Sequence, residues 1–310
     1  MNRRSLISAA AAVAMSVSLA ACGADSDPLA NEPAASGAAG GGAVTVGSAN
    51  FPESQLLAEI YSQALEAKGV KVTRKFNIGA REVYLKALQD GSISLLPEYN
   101  GALLAALSPN GIPAGVSSSD TVLAELKKVL PAGTEVLAQS AAEDKDTLTV
   151  SADTATKNNL KTIEDLKAVA PTLVAGGGPE FTERQQGLKG LKEVYGVEFK
   201  EYKPLDPGGP LTVNALKDGD IQVANLFSTD SSIVTNKFVT LADPKNLFTS
   251  QNVLPLIRSE ANNATVTGAL DAVSGKLTTE NLTSYLAQVQ VDKKDIAVVA
   301  KAFLSENGLG

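Results

Sequence analysis

The sequence predicts an α/β protein built as two like lobes, each a mostly parallel sheet with helical crossovers, joined by two crossing strands. Three observations predict it. The first stretch of the body reads strand, helix, strand, helix, strand. The same order recurs about 127 residues later. Two apolar and β-branched runs, Asp146 to Ser151 and Asn252 to Ile257, stand where the chain would cross between lobes and return. The 310 residues suit two domains at ~100–200 residues each. A composition of 44% hydrophobic and 20% charged residues is ordinary for a globular chain.

Val44-Thr45-Val46-Gly47 is a short strand closed by glycine. Pro52 opens a helix with Glu53 in its first turn, and Leu56, Leu57, Ile60, Ala64 and Leu65 follow at helical spacing. Gly69 stops it. Val70 to Phe76 reads as a strand, Arg81 to Leu88 as a helix, Asp90-Gly91 as a turn and Ile93 to Leu96 as a third strand. Such alternation implies parallel strands with right-handed crossovers. In the second half, Leu173 to Ala175 is a strand, and Gly176-Gly177-Gly178-Pro179-Glu180 opens a helix. Pro179 stands 127 after Pro52, and Ala215-Leu216-Lys217-Asp218-Gly219 stands 128 after Ala87-Leu88-Gln89-Asp90-Gly91. Asp-Gly after a helix is common turn chemistry, so shared α/β grammar is the competing account. The register across three elements favours a true repeat. Residues 260 to 310 carry helical spacing, as in Leu282, Leu286, Val289 and Ile296, Val299, Ala300, Phe303; they belong with the first lobe or lie across both.

The N-terminus reads as an export signal. Arg3 and Arg4 precede an uncharged run from Leu6 to Ala21, shorter than the ~20 apolar residues of a membrane-spanning helix. It ends Leu19-Ala20-Ala21-Cys22, the pattern of a lipoprotein signal cut before an acylated cysteine. A plain signal peptide with an incidental cysteine is the alternative. Residues 22–43 are rich in Ala, Gly, Ser and Pro and read as a disordered tether. The expected organisation is therefore 1–21 signal, 22–43 tether, 44–147 with 254–310 as the first lobe, and 148–253 as the second.

Composition excludes several functions. The chain has no histidine and one cysteine, so Ser-His-Asp and Cys-His catalysis, His-ligated metal sites and internal disulfides are ruled out. No cofactor is implied. A net charge of −7 and a pI near 4.9 argue against nucleic acid as a partner. No Gly-Lys-Ser/Thr follows the glycine run at 176–178, so it is not a phosphate-binding P-loop.

Ligands of open α/β sheets bind outside the carboxyl ends of the strands. Tyr99 lies twelve residues after Ala87, and Phe227 twelve after Ala215, so each lobe offers one ring at the same place. Both rings could instead be lobe core. Arg184, one turn into the predicted second-lobe helix, could hold a ligand carboxylate bidentately. Its alternative is an ion pair with Glu180 four residues earlier. Glu53, Glu98 and Glu180 sit near the cleft, but each also suits a helix start or turn.

At these residues the sequence resembles a known family. Ser48-Ala49-Asn50-Phe51-Pro52-Glu53-Ser54-Gln55, Pro97-Glu98-Tyr99-Asn100-Gly101, Pro179-Glu180-Phe181 with Arg184, Gly187 and Gly190-Leu191, and Val223-Ala224-Asn225-Leu226-Phe227-Ser228-Thr229-Asp230 together resemble the osmoprotectant-binding lipoproteins of ABC importers. The likeness runs from about Val44 to Arg258. It implies a type II periplasmic-binding-protein fold that closes like a flytrap on glycine betaine, choline, carnitine or a related quaternary amine. It implies an aromatic box, with Tyr99 and Phe227 as box rings and Arg184 on a carboxylate. Asn50, Phe51, Asn100, Asp146 and Thr229 complete the expected ligand-binding set. Ala49, Asn100 and Leu188 depart from the family's usual lysine, threonine and tyrosine. The implied role is a monomeric, lipid-anchored protein on the extracytoplasmic face of a membrane, periplasmic or cell-surface, that delivers a small solute to ABC permease subunits. A neutral, aromatic or anionic solute on the same fold is the first alternative. An extracellular enzyme using the cleft carboxylates is the second, although no nucleophile–base pair is visible and the expectation is a non-enzyme.

Overall fold

The computed structural model describes residues 43–310. The first lobe begins with β1 (Val44–Gly47), α1 (Pro52–Ala67), β2 (Val72–Lys75), α2 (Arg81–Gln89) and β3 (Leu95–Tyr99). It continues through α3 (Asn100–Leu107), α4 (Ser119–Val129) and β4 (Thr134–Val136). The second lobe holds β5 (Asp146–Val150), α5 (Ala152–Asn158), β6 (Val174–Gly177), the short α6 (Leu188–Gly190), β7 (Glu201–Pro204), α7 (Pro210–Asp218), β8 (Val223–Phe227), α8 (Ser231–Thr235) and β9 (Val239–Thr240). The chain then returns as β10 (Val253–Arg258) and ends in α9 (Ala264–Ser274), α10 (Thr279–Gln290) and α11 (Ile296–Glu306).

Two five-stranded sheets result, ordered β2-β1-β3-β10-β4 and β7-β6-β8-β5-β9. The orders match position for position. In each sheet three parallel strands are followed by an antiparallel strand that arrives from the other lobe, β10 beside β3 and β5 beside β8. The repeat read from the sequence is thus a repeat of topology. Strand β3 ends on Tyr99, three residues beyond the expected Leu96, and β8 ends on Phe227.

Apolar spacing explains α1. Leu56, Leu57, Ile60, Tyr61 and Leu65 are all buried, packed between the sheet and the terminal helices. The C-terminal helices belong mainly to the first lobe, where α9 and α11 lie on α1, while α10 also touches α8 of the second. The two crossing segments run antiparallel and meet at a bridge between Glu143 and Asn252. Backbone bonds from Asp144 to Gln251, Ser140 to Val253 and Val253 to Ala142 extend that contact into a two-stranded hinge.

One element differs from expectation. The glycine run at 176–178 does not open a helix like α1. Pro179–Thr182 is a single 3₁₀ turn, and regular helix resumes only at Leu188. The intervening residues are held elsewhere. Gln185 accepts a bond from the Ile112 backbone of the first lobe, and Gln186 bonds Thr249 and Gln251 of the crossing segment. Gly187 fits because the chain doubles back there; a Cβ on it would lie 2.1 Å from the Phe181 carbonyl oxygen. Arg184 therefore sits on a cross-lobe loop and not one turn into a helix.

Candidate functional site

The carboxyl ends of β1, β3, β6 and β8 converge on one cleft between the lobes, as expected for open α/β sheets. Its inner cavity is lined by residues of both lobes. Ala49, Asn50 and Phe51 enter it from the turn after β1, where Ser54 Oγ accepts the Ala49 N–H at 2.9 Å and holds the turn against the start of α1. Tyr99 and Phe227 enter from the ends of their strands, and Arg184 from the loop after β6.

Phe51 stands between the other two rings. Its centroid is 6.2 Å from Tyr99 and 5.1 Å from Phe227, which belongs to the other lobe. Ring centroids 4.5–7 Å apart in tilted geometry are the favourable range for aromatic pairs. Three rings from two lobes thus form one group beside the cavity.

Behind them lies a buried carboxyl pair. Glu53, 2% exposed, accepts the Tyr99 hydroxyl at 2.7 Å and the Thr229 hydroxyl at 2.5 Å. Tyr99 shares its lobe; Thr229 is on the opposite one, so Glu53 ties the lobes together. Asp144 packs against Glu53 and accepts from the Thr229 backbone N–H at 3.1 Å and from Ser228 Oγ at 3.2 Å. Burial raises the pKa of Glu53, and the two hydroxyl donors only partly offset it. Burial, and then the neighbouring Glu53, hold Asp144 well above the carboxylate range. Burial and the same acids push the Tyr99 phenol up. Asp146, at the head of β5, is raised by burial and partly restored by the Asn225 amide 2.9 Å away.

The cavity has two arginines. Arg81, 8% exposed, bonds Glu98 from Nε at 3.1 and 3.3 Å, and Glu98 is wholly buried. Tyr84 donates its hydroxyl to the same carboxylate. Burial lowers the guanidinium's pKa, and the Glu98 charge beside it more than restores it. Arg184 reaches across the cleft to Glu82, with Nε and Nη2 each 3.2 Å from its carboxylate, while Glu180 stands 4.0 Å away.

Asn50, Phe51, Tyr99, Asp146, Arg184 and Phe227 therefore line one cavity. Thr229 lies just behind it, on Glu53. Asn100 is not among the residues lining it: its side-chain oxygen accepts from the Asn252 and Gly101 backbone N–H groups and fastens the hinge. Cys22 lies outside the described residues. Glu98 sits inside β3 as the counterion of Arg81, and not in a polar turn.

Arg81 and Asp144 were missed. Nothing local marks Arg81, because its partner Glu98 is 17 residues away. Asp144 carried a usable signal: in extended chain, residues two apart share a face, and Asp144 stands two before Asp146.

The family described as the substrate binding domain of ABC-type glycine betaine transport system matches residues 42–306. The carnitine transport binding protein OpuCC of Listeria monocytogenes is 28% identical over 275 residues, covering 85% of this chain and 86% of that one. The glycine-betaine-binding protein of Pseudomonas aeruginosa is 23% identical over 288 residues, covering 89% and 91%. A crystal structure of a glycine betaine/carnitine/choline ABC transporter superposes with a TM-score of 0.66 at 22% identity, over 86% of this chain and 99% of its own.

Proposed function

The chain belongs to the family of substrate-binding domains of ABC-type glycine betaine transport systems, and from that premise we propose that it captures a quaternary-amine solute between its lobes and hands it to permease subunits. The observation that carries this reading is the group of Phe51, Tyr99 and Phe227, drawn from both lobes and set in one cavity with Asp144 and Asp146. A trimethylammonium group is cationic yet cannot donate an N–H hydrogen bond. Ring faces attract such a cation by ~0.5–2 kcal/mol each, more when water is excluded. The oxygens of Asp144 and Asp146 add electrostatic attraction that needs no directed bond and strengthens as these acids ionise. Phe51 and Phe227 come from opposite lobes and lie 5.1 Å apart, so lobe closure on a ligand would complete the ring group. The carnitine and glycine betaine of the relatives' names fit the same chemistry.

The test is calorimetric titration of the purified protein with glycine betaine, carnitine and choline, with proline and glucose as controls. At least one quaternary amine binds and the controls do not. Tyr99→Ala weakens that ligand about tenfold, the equivalent of 1.4 kcal/mol. If no quaternary amine binds the folded protein, the reading is wrong.

The lipid anchor belongs to the same proposal. Cys22 is the only cysteine, and Leu19-Ala20-Ala21 precede it. Acylation there would leash the body near a permease on the outer side of the membrane. Cys22→Ala should move the protein from the membrane fraction to the soluble one; a variant that still pellets like wild type would refute the anchor.

A further inference from the structure

Resting on the quaternary-amine reading of the cleft, we propose that the site selects a net cation of the choline type over a zwitterion, and that Glu82 sets this choice by occupying Arg184. The inner cavity is lined by two cations, and each already holds a carboxylate. Arg81 is paired with the buried Glu98, so this pair brings no net positive charge to a ligand. Arg184 is held by both oxygens of Glu82 at 3.2 Å. The acids are less well matched. Asp144 and Asp146 line the cavity and take hydrogen bonds from Ser228, Thr229 and Asn225, but neither has an ion-pair partner among the described residues. Glu180 has only the 4.0 Å approach of Arg184. The cleft therefore carries an excess of carboxyl groups over free cations.

A betaine entering this cavity brings its own carboxylate among these acids. It finds no unoccupied guanidinium to hold that carboxylate, because Arg81 is paired with Glu98 and Arg184 with Glu82. Its carboxylate must first displace Glu82. A ligand with a quaternary nitrogen and a hydroxyl needs no such exchange, and its hydroxyl can donate to Asp146. The position of the pair suits a filter. Arg184 lines both the inner cavity and an outer recess, and Glu82 lines only the recess. Lys86 also lies in the recess and not in the inner cavity. The Glu82 side chain is 57% exposed, so it can be changed without disturbing the core.

The experiment compares choline and glycine betaine by calorimetry on wild type, Glu82→Gln and the double variant Glu82→Gln/Arg184→Met. Wild type binds choline more tightly than glycine betaine. Glu82→Gln frees Arg184 and tightens glycine betaine about two- to fivefold, the range open to releasing a partly exposed charge pair. It weakens choline slightly through the loss of a negative charge. The double variant loses the gain. Equal wild-type affinities for the two ligands overturn the proposal. So does a Glu82→Gln that shifts both ligands by the same factor, because a simple latch between lobes would act alike on both. Wild type binding neither ligand would instead refute the quaternary-amine reading beneath it.

Discussion

Glu53 shows how one side chain can hold a cleft ring and a contact between lobes at once. In unfolded chain it ionises near 4.5 and Asp144 near 3.8. In the fold both are raised, so the pair keeps a proton to higher pH. Above those unfolded values the folded state then binds more protons than the unfolded one, and stability falls as pH rises until the pair has ionised. Around Glu53 stand Asp144, Asp230, Tyr99 and Thr229, and none is a cation. Glu53→Gln removes the titration while keeping an acceptor for Tyr99. The gap in melting temperature, variant minus wild type, should therefore be more positive at pH 8 than at pH 5. A gap independent of pH would show that Glu53 ionises normally in the fold. This residue also marks the limit of the sequence. Glu53 reads there as a helix-start acid, which it is, at the second position of α1. Its tie to Thr229 spans 176 positions and carries no local pattern. The rings were easier, because a topological repeat places Tyr99 and Phe227 at equivalent strand ends.

Strands and helices were legible wherever periodicity and punctuation agreed. Pro52 and Gly69 bracket α1, and Gly69 adopts φ 78°, the left-handed turn glycine allows. The failure came at 179–187, where proline and glutamate announce a helix but cross-lobe bonds from Gln185 and Gln186 pull the chain away. Tertiary contacts of that kind leave no trace in spacing. At α3 the constraint is steric. A Cβ on Gly101 would lie 2.2 Å from the Ser250 carbonyl oxygen and 2.6 Å from Thr249 Oγ1. Gly101→Ala must push the start of α3 off the second crossing segment, at a cost of ~1–3 kcal/mol for overpacking. A lower melting temperature and weaker ligand binding are expected together. Normal binding at unchanged stability would mean that the hinge yields freely at Gly101.

Across the whole molecule, the lobes are held by Glu53 with Thr229, Arg184 with Glu82, and Gln185 with Ile112. Hydrogen bonds and part-exposed ion pairs contribute only ~1 kcal/mol each. Such links bias a two-state hinge without locking it. The double variant Glu82→Ala/Thr229→Ala should give a larger radius of gyration than wild type without ligand, and the same value at ligand saturation. Small-angle scattering distinguishes the two, and identical curves without ligand would show that other contacts fix the closed form.

The placement of β10 has a consequence for how the protein is made. Strand β3 needs β10 at its side, and α1 needs α9 and α11 over its apolar face. All three arrive after the second lobe has been spelled out. As the chain leaves the ribosome, the lobe that begins first is completed last. The second sheet, drawn from residues 146–240 alone, can close while Leu56, Leu57 and Ile60 still wait for their cover. A nascent chain stalled before Val253 would thus display a finished lobe beside an unfinished, sticky one, a natural client for a chaperone.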